Sequence, residues 1–264
     1  MNLFESIFLG VIQGATEFLP ISSSGHLFLI EKYLGLEQNL NFEIALHFAS
    51  LLAVLLFFHK EILNLAKNFL SLLIGKNSKT GEYALKILVA TAITVPMALI
   101  VKENIFDAQY LTKNFVAAML IITGIMVFIA EKCRLIPSQR IPTKDFISWP
   151  ITIALGLVQG LTVIPGISRS GTTIAFLIIL GMGRQFSVRT SFFLAIPTIT
   201  GAMIFSLKDT GWTLPLGGVE IAGCVASFLV AIFAIKWMLV LIEKNWIWFA
   251  PYCLILGLGL ILFR

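Results

Sequence analysis

Apolar residues run along this 264-residue chain in long unbroken stretches, not in the short periodic patches of a soluble domain. Stretches such as Ala45–Phe58, Phe115–Ala130 and Val219–Val240 are long enough to span or nearly span a bilayer, which takes about 20 residues. The pattern predicts three full spans near 42–59, 83–101 and 114–131, and three more near 188–207, 218–242 and 246–263. Two further segments have a different design. Leu3–Leu19 is broken at Pro20, followed by a serine loop, Ser22–Gly25, and a second short run, Leu27–Leu36. The segment from Pro150 through Pro165–Gly166 to Gly183 repeats it. Proline cannot donate a backbone hydrogen bond, and Gly and Ser favour turns, so each is expected to form a helix–loop–helix hairpin that turns back inside the membrane. Non-helical backbone at that depth requires a protein-lined or water-filled cavity. Glu61–Gly75 is amphipathic and is expected to lie in the interface.

The two hairpins are copies of one motif. Residues 10–26 read GVIQGATEFLPISSSGH and residues 156–172 read GLVQGLTVIPGISRSGT. At a constant offset of 146, Gly10, Gln13, Gly14, Thr16, Ser22, Ser24 and Gly25 recur as Gly156, Gln159, Gly160, Thr162, Ser168, Ser170 and Gly171. The expected fold is therefore an all-α polytopic membrane protein with an inverted-topology repeat: about six full transmembrane helices plus two re-entrant hairpins. The first repeat covers 1–131, with its hairpin at about 3–36. A basic linker, 132–146, leads to the second repeat at 147–264, with its hairpin at about 150–183. An odd number of spans per half gives the halves opposite orientations. In that arrangement the cations from Lys60 to Lys86, from Lys132 through Arg140 to Lys144, and at Arg184, Arg189 and Lys244 share one side. Lys32, Lys102, Lys113, Lys208 and Arg264 fall on the other, so the richer side is cytoplasmic.

Composition agrees. The chain is 58% hydrophobic and 12% charged, about half the charge of an ordinary soluble domain, and its mean hydropathy is +0.95. The net charge of +5 then reads as basic residues flanking apolar spans, and no nucleic-acid partner is expected. The amino terminus has Glu5 and no basic run, unlike a cleaved signal peptide. Cys133, Cys224 and Cys253 are isolated, which points to neither a disulfide framework nor a zinc site.

The copies differ where chemistry would be placed. Glu17, Ser23 and His26 in the first become Val163, Arg169 and Thr172 in the second. Gln13 and Glu17 stand four apart and share a helix face. An ionisable residue in an apolar helix is costly and either faces a cavity or pairs with a cation to fix packing. Ser22, Ser23 and Ser24 open the second half-helix. They serve as caps, as anion-binding donors, or, with His26 and Glu17, as a nucleophile with its proton carrier and base. In the second loop Arg169 lies between Ser168 and Ser170, with Thr172 and Thr173 following. Its planar fork suits phosphate oxygens, and two helix amino termini with one guanidinium would converge on a diphosphate. Glu43 and His47, also four apart, either line the outward approach or bond each other.

At these residues the chain resembles the undecaprenyl-diphosphate phosphatase family, the bacitracin-resistance type, over essentially its whole length. The marks are the (E/Q)xxxE pattern at Gln13–Glu17, FLPISSSGH ending at His26, PGISRSGTT at 165–173, FEIALH at 42–47 and the block 181–202. The resemblance implies a fold of six spans and two re-entrant hairpins in the bacterial cytoplasmic membrane, with a site open to the periplasm. It implies hydrolysis of undecaprenyl diphosphate to undecaprenyl phosphate with a divalent cation, Mg²⁺ or Ca²⁺. It assigns Ser23 as nucleophile, with His26 as the rival, and Glu17 as the essential acid. Arg169 becomes the diphosphate-binding arginine, with Ser168 and Thr173 its hydroxyl neighbours. Glu17 and Gln13 are the candidate metal ligands. Many relatives carry Glu at position 13, and the amide here removes one charge. The expected partners are the polyprenyl diphosphate and membrane lipids, with a homodimer left open. The alternative is a transporter or flippase for a polyprenyl phosphate lipid, since inverted repeats with broken helices also build carriers.

Overall fold

The computed structural model describes residues 1–105, 111–135, 146–209, 211–212, 216–244 and 246–262. Most of the expected linker, with Arg140 and Lys144, lies outside the described residues, as does Arg264. The elements in order are α1 (Leu3–Thr16), α2 (Ser23–Leu34), α3 (Leu40–Phe57), α4 (His59–Leu73), α5 (Lys79–Ile105) and α6 (Lys113–Leu135). Then come α7 (Trp149–Gly160), a 3₁₀ turn (Leu161–Val163), α8 (Arg169–Ile179), α9 (Arg184–Asp209), α10 (Gly218–Lys244), a second 3₁₀ turn (Trp246–Trp248) and α11 (Phe249–Leu262). No strand occurs among the described residues. The chain is an all-α polytopic membrane protein.

Five helices, α3, α5, α6, α9 and α10, are long and apolar enough to cross a bilayer. The sixth expected span, 246–263, is shorter. A 3₁₀ turn precedes α11, whose first turn holds Pro251, the one part of a helix where a missing N–H costs nothing. Similarly, α1 ends at Thr16 instead of Leu19, because a helix continuing to Pro20 would drive the proline ring into the carbonyl four residues back. Helix α4 packs along α5, buries no residue fully, and exposes Leu63, Leu70 and Leu73, as expected of a helix lying at an interface.

Polar contacts sort the bundle into two ends. At one, Arg184 of α9 pairs with Glu131 of α6 and donates to the Glu243 carbonyl of α10, Trp246 donates to Glu131, and Arg189 pairs with Glu61. At the other, Ser6 donates to the Val219 carbonyl and Ser206 to Asn41, while Met1, Leu36 and Glu220 line one cavity of about 570 Å³. The α1–α2 pair thus begins and ends at this second end. The turns within the pairs α1–α2 and α7–α8 meet each other: Ser170 Oγ donates to the Leu19 carbonyl at 2.8 Å, and Cys253 Sγ lies 3.7 Å from the Pro20 carbonyl.

Each motif helix packs on a long helix of the other half, α1 on α10 and α7 on α5. Glycines at repeat-equivalent positions permit it. A Cβ at Gly10 would stand 2.1 Å from the Gly223 carbonyl oxygen and one at Gly14 2.3 Å from that of Ser227; at Gly156 the neighbour is the Ala90 carbonyl at 2.5 Å. Apolar helices gain little by leaving lipid for each other, so such close backbone contact is what holds them together. At Gly160 the nearest atoms belong to the Met97 side chain, at 2.5 Å. Gly14→Ala, pressed against backbone, and Gly160→Ala, pressed against the Cβ and Cγ of Met97, should each destabilise the detergent-solubilised protein by ~1–3 kcal/mol, as measured by thermal unfolding of the two variants side by side.

Candidate active site

Glu17 caps the end of α1 and is almost wholly buried. Its Oε2 accepts from Ser23 Oγ at 2.7 Å and from Gln13 Nε2 at 2.9 Å, and His47 Nδ1 lies 2.9 Å away. Its Oε1 receives Nη2 of Arg169 from the second repeat. Gln13 is one turn back on α1, and its Nε2 also lies 2.7 Å from His47 Nδ1. Ser23 and Arg169 are the first residues of α2 and α8. The two loops deliver them with different backbones. Ser22, the cap of α2, sits at φ 69°, where a side chain is strained, while its repeat mate Ser168 caps α8 from an ordinary extended φ of −75°. The strained residue immediately precedes the serine that bonds Glu17.

The structure uses most of the other loop hydroxyls for building. Ser22 Oγ accepts the Gly25 amide at 3.2 Å and Ser168 Oγ that of Gly171 at 3.0 Å; each also meets its neighbour, Ser24 or Ser170. Thr173 Oγ1 bonds the Arg169 carbonyl and Ser191 Oγ, and Arg169 Nη1 donates to the Ser191 carbonyl at 3.3 Å. Ser22, Ser168, Ser170 and Thr173 are thus each engaged in hydrogen bonds around the residues that open α2 and α8. Gln159, the mate of Gln13, donates to Thr94 and Thr198 in a purely structural role.

His26 is held apart. Its Nδ1 lies 2.7 Å from the Ser22 carbonyl and its Nε2 2.7 Å from Tyr252 Oη, so a neutral ring has Nδ1–H donating and Nε2 accepting. Among the described residues it makes no hydrogen bond to Ser23 or Glu17. Glu43 and His47, expected along the approach or bonded to each other, lie one turn apart on α3 and reach different partners. His47 joins the Glu17 cluster, and Glu43 contacts Glu31 of α2. Sequence reading missed Tyr252, Ser50 and Ser191. Ser191 sits on α9 within the block 181–202, where nothing marked it apart, Tyr252 on α11 carries no local motif, and only the folded bundle brings Tyr252 across 226 positions to His26. For His47 the four-residue spacing from Glu43 was a signal, pointing to a residue that the fold brings to Glu17.

A divalent cation on Gln13 and Glu17 finds little room here. Glu17 already takes donors on both oxygens, one of them a guanidinium. Gln13 turns its amide nitrogen to the carboxylate and leaves its own oxygen buried without a partner among the described residues. Hard cations need free oxygens, and no cluster of three His, Cys, Asp or Glu among the described residues could hold one. As arranged, the pair does not fit the ion, and no chemical step is routed through it.

A serine bonded to a buried carboxylate, with an arginine brought from a second repeat, defines a membrane-embedded helical protein with a built polar centre. The chain belongs to the bacitracin resistance protein BacA family, whose model matches residues 6–259. It is 35% identical over 272 residues to the undecaprenyl-diphosphatase of Methanosphaera stadtmanae, covering 98% of this chain and 96% of that one. It is 36% identical over 270 residues to the undecaprenyl-diphosphatase of Methanobrevibacter smithii, again covering 98% and 96%. Undecaprenyl-diphosphatase 2 of Halalkalibacterium halodurans is 36% identical over 270 residues, with 98% and 95% covered.

The His26–Tyr252 contact gives a direct check. Tyr252 is 44% exposed, so removing its hydroxyl opens no enclosed cavity. Tyr252→Phe should leave thermal stability within ~1 kcal/mol of the parent while freeing Nε2, an upfield or downfield shift of the His26 ring resonances reporting the change.

Proposed function

We propose that this chain hydrolyses undecaprenyl diphosphate to undecaprenyl phosphate and inorganic phosphate. The observation that carries the reading is the Ser23–Glu17–Arg169 contact, in which a hydroxyl, its proton acceptor and a phosphate-matching cation are joined across the two repeats. The whole-length similarity to proteins named undecaprenyl-diphosphatases supplies the substrate. Unequal loading of the two loops favours an enzyme over a carrier, which needs a binding site but no nucleophile. In the same reading the repeats are inverted, the short helix pairs are re-entrant, and the site opens to the periplasm of a bacterial cytoplasmic membrane. The cation-rich end, with Arg184, Arg189 and Lys244, faces the cytoplasm.

At rest Arg169 neutralises Glu17. The incoming diphosphate competes for the guanidinium, whose fork accommodates two phosphate oxygens, and Glu17 is left with Ser23 on its other oxygen. Ser23 Oγ then attacks the terminal phosphorus and passes its proton to Glu17 Oε2, while the bond to the bridging oxygen breaks and undecaprenyl phosphate departs. Glu17 hands that proton to the departing undecaprenyl phosphate; water then attacks the phosphoserine, gives its proton to the freed carboxylate, and Glu17 returns it to Ser23 Oγ as the P–O bond breaks and phosphate leaves. Most of the rate comes from positioning and charge neutralisation. Ser23 is preferred to His26 as nucleophile because both ring nitrogens of His26 are engaged.

Phosphate release from a C55 diphosphate by the purified protein tests the activity. Ser23→Ala should abolish turnover with substrate binding largely intact, whereas Arg169→Lys, keeping charge without the fork, should lose roughly two orders of magnitude. Substantial turnover by Ser23→Ala beside a dead His26→Ala would transfer the nucleophile to His26.

The family resemblance also carries a requirement for Mg²⁺ or Ca²⁺. If position 13 governs it, Gln13→Glu should lower the cation concentration for half-maximal activity, since two carboxylates one turn apart then replace a carboxylate and an amide. A metal titration of parent and variant decides, and an identical requirement would place the ion elsewhere.

A further inference from the structure

Glu17 is anchored on Oε1 by Arg169 and on Oε2 by Ser23, Gln13 and His47. Under the hydrolase reading, on which the present inference rests, two of these change during turnover: the diphosphate draws Arg169 away and Ser23 leaves to attack phosphorus. Gln13 and His47 remain. Gln13 sits on the same helix as Glu17 and reaches α3 at His47 Nδ1 (2.7 Å) and Ser50 Oγ (3.5 Å), so its own anchorage runs through the helix that carries His47. His47 comes from a separate helix. We infer that His47 is a positioning residue, holding the Glu17 carboxylate toward Ser23 once Arg169 has turned to the substrate.

The helix that carries His47 is well placed for this. Ser227 Oγ of α10 donates to the Leu46 carbonyl at 3.0 Å, and Phe42 and Leu46 pack in a buried cluster with Leu9 of α1 and Leu27 of α2. Ser50 Oγ closes on the His47 carbonyl at 2.7 Å. One turn before His47, Glu43 faces it and in turn contacts Glu31 of α2. Glu31 is 3% exposed and lines the 570 Å³ cavity at the end of the bundle. The polar groups thus run from Ser23 through Glu17 and His47 to Glu43 and Glu31, linking α1, α2 and α3 behind the nucleophile. A side chain supported by a rigid helix and a second layer of polar contacts is how enzymes hold a reacting group within a fraction of an ångström.

The consequence is a particular kinetic signature. Losing His47 should spare substrate binding, which belongs to Arg169 and the loops, and should slow the chemical step. His47→Ala is expected to lose roughly tenfold to a hundredfold in kcat, the scale of a misplacement of about 1 Å, with KM changed less than about threefold. His47→Gln, which keeps an N–H donor, should recover part of the loss, and added imidazole should partly rescue His47→Ala. Thermal unfolding is measured on each variant. Three results overturn the proposal: parental kcat in His47→Ala; kcat loss matched by a collapse in melting temperature with no rescue by Gln or imidazole; and a change confined to KM. Ser23→Ala and the parent are run alongside. A parent that releases no phosphate from C55 diphosphate removes the hydrolase reading and this inference with it, whereas a turning-over parent with an indifferent His47→Ala removes this inference alone.

Discussion

A carboxylate buried in an apolar bundle must be compensated, and the compensation for Glu17 comes from the other half of the chain. A buried ion pair seldom stabilises a fold relative to apolar packing, because desolvating both charges offsets their attraction, whereas leaving either alone is strongly unfavourable. The Glu17–Arg169 pair therefore imposes a requirement on everything around it. The two loops must meet, so both motif helices must stop short. Both must also lie close against long helices, so their contacting faces are glycine. Phe18, next to Glu17, is packed edge-on against Phe192 at 5.1 Å, fixing the turn that aims the carboxylate.

The repeat explains how one scaffold carries unequal chemistry. Ser23 and Arg169 are equivalent positions, each the first residue of the second helix of its pair and each preceded by a capping serine. Whatever relation the duplication imposes on the loops, it brings these two positions toward one another, and the same geometric address holds an alcohol in one copy and a guanidinium in the other. Gln13 and Gln159 show the same division: one bonds the Glu17 carboxylate, the other two threonines. Duplicated architecture with diverged cargo is economical in a membrane, where irregular backbone is tolerated only in sheltered places.

Long apolar runs, broken half-helices and the amphipathic α4 were legible because each follows from local rules of length, proline and hydrophobic pattern. Gln13, Glu17, Ser23 and Arg169 were legible because they lie in the repeat and are chemically out of place in it. The close packing of α1 and α7 was also written in the chain, as two pairs of glycines four apart, but only the structure says which helices they meet. Tyr252 was illegible, being an ordinary residue on an apolar helix whose partner lies 226 positions away. The hydroxyls of Ser168, Ser170 and Thr173 could be read as ligands or as supports. In the structure each is engaged in a cap or a side chain-to-carbonyl bond.

The pairing of α1 with α10 also has an implication for the order of events during synthesis. Ser6 bonds a carbonyl 213 positions further along, and Gly10 and Gly14 close on the same distant helix. While the ribosome is still translating the first half, α1 has no groove to settle into, and Glu17 has no arginine. Its polar face has to wait at the membrane surface or against water until α8 and then α10 emerge. Chains are made at roughly 5–20 residues per second, so that wait lasts on the order of ten seconds or more. The last steps of assembly and the completion of the polar centre are then one event, and a chain truncated before α10 cannot bury its own first helix.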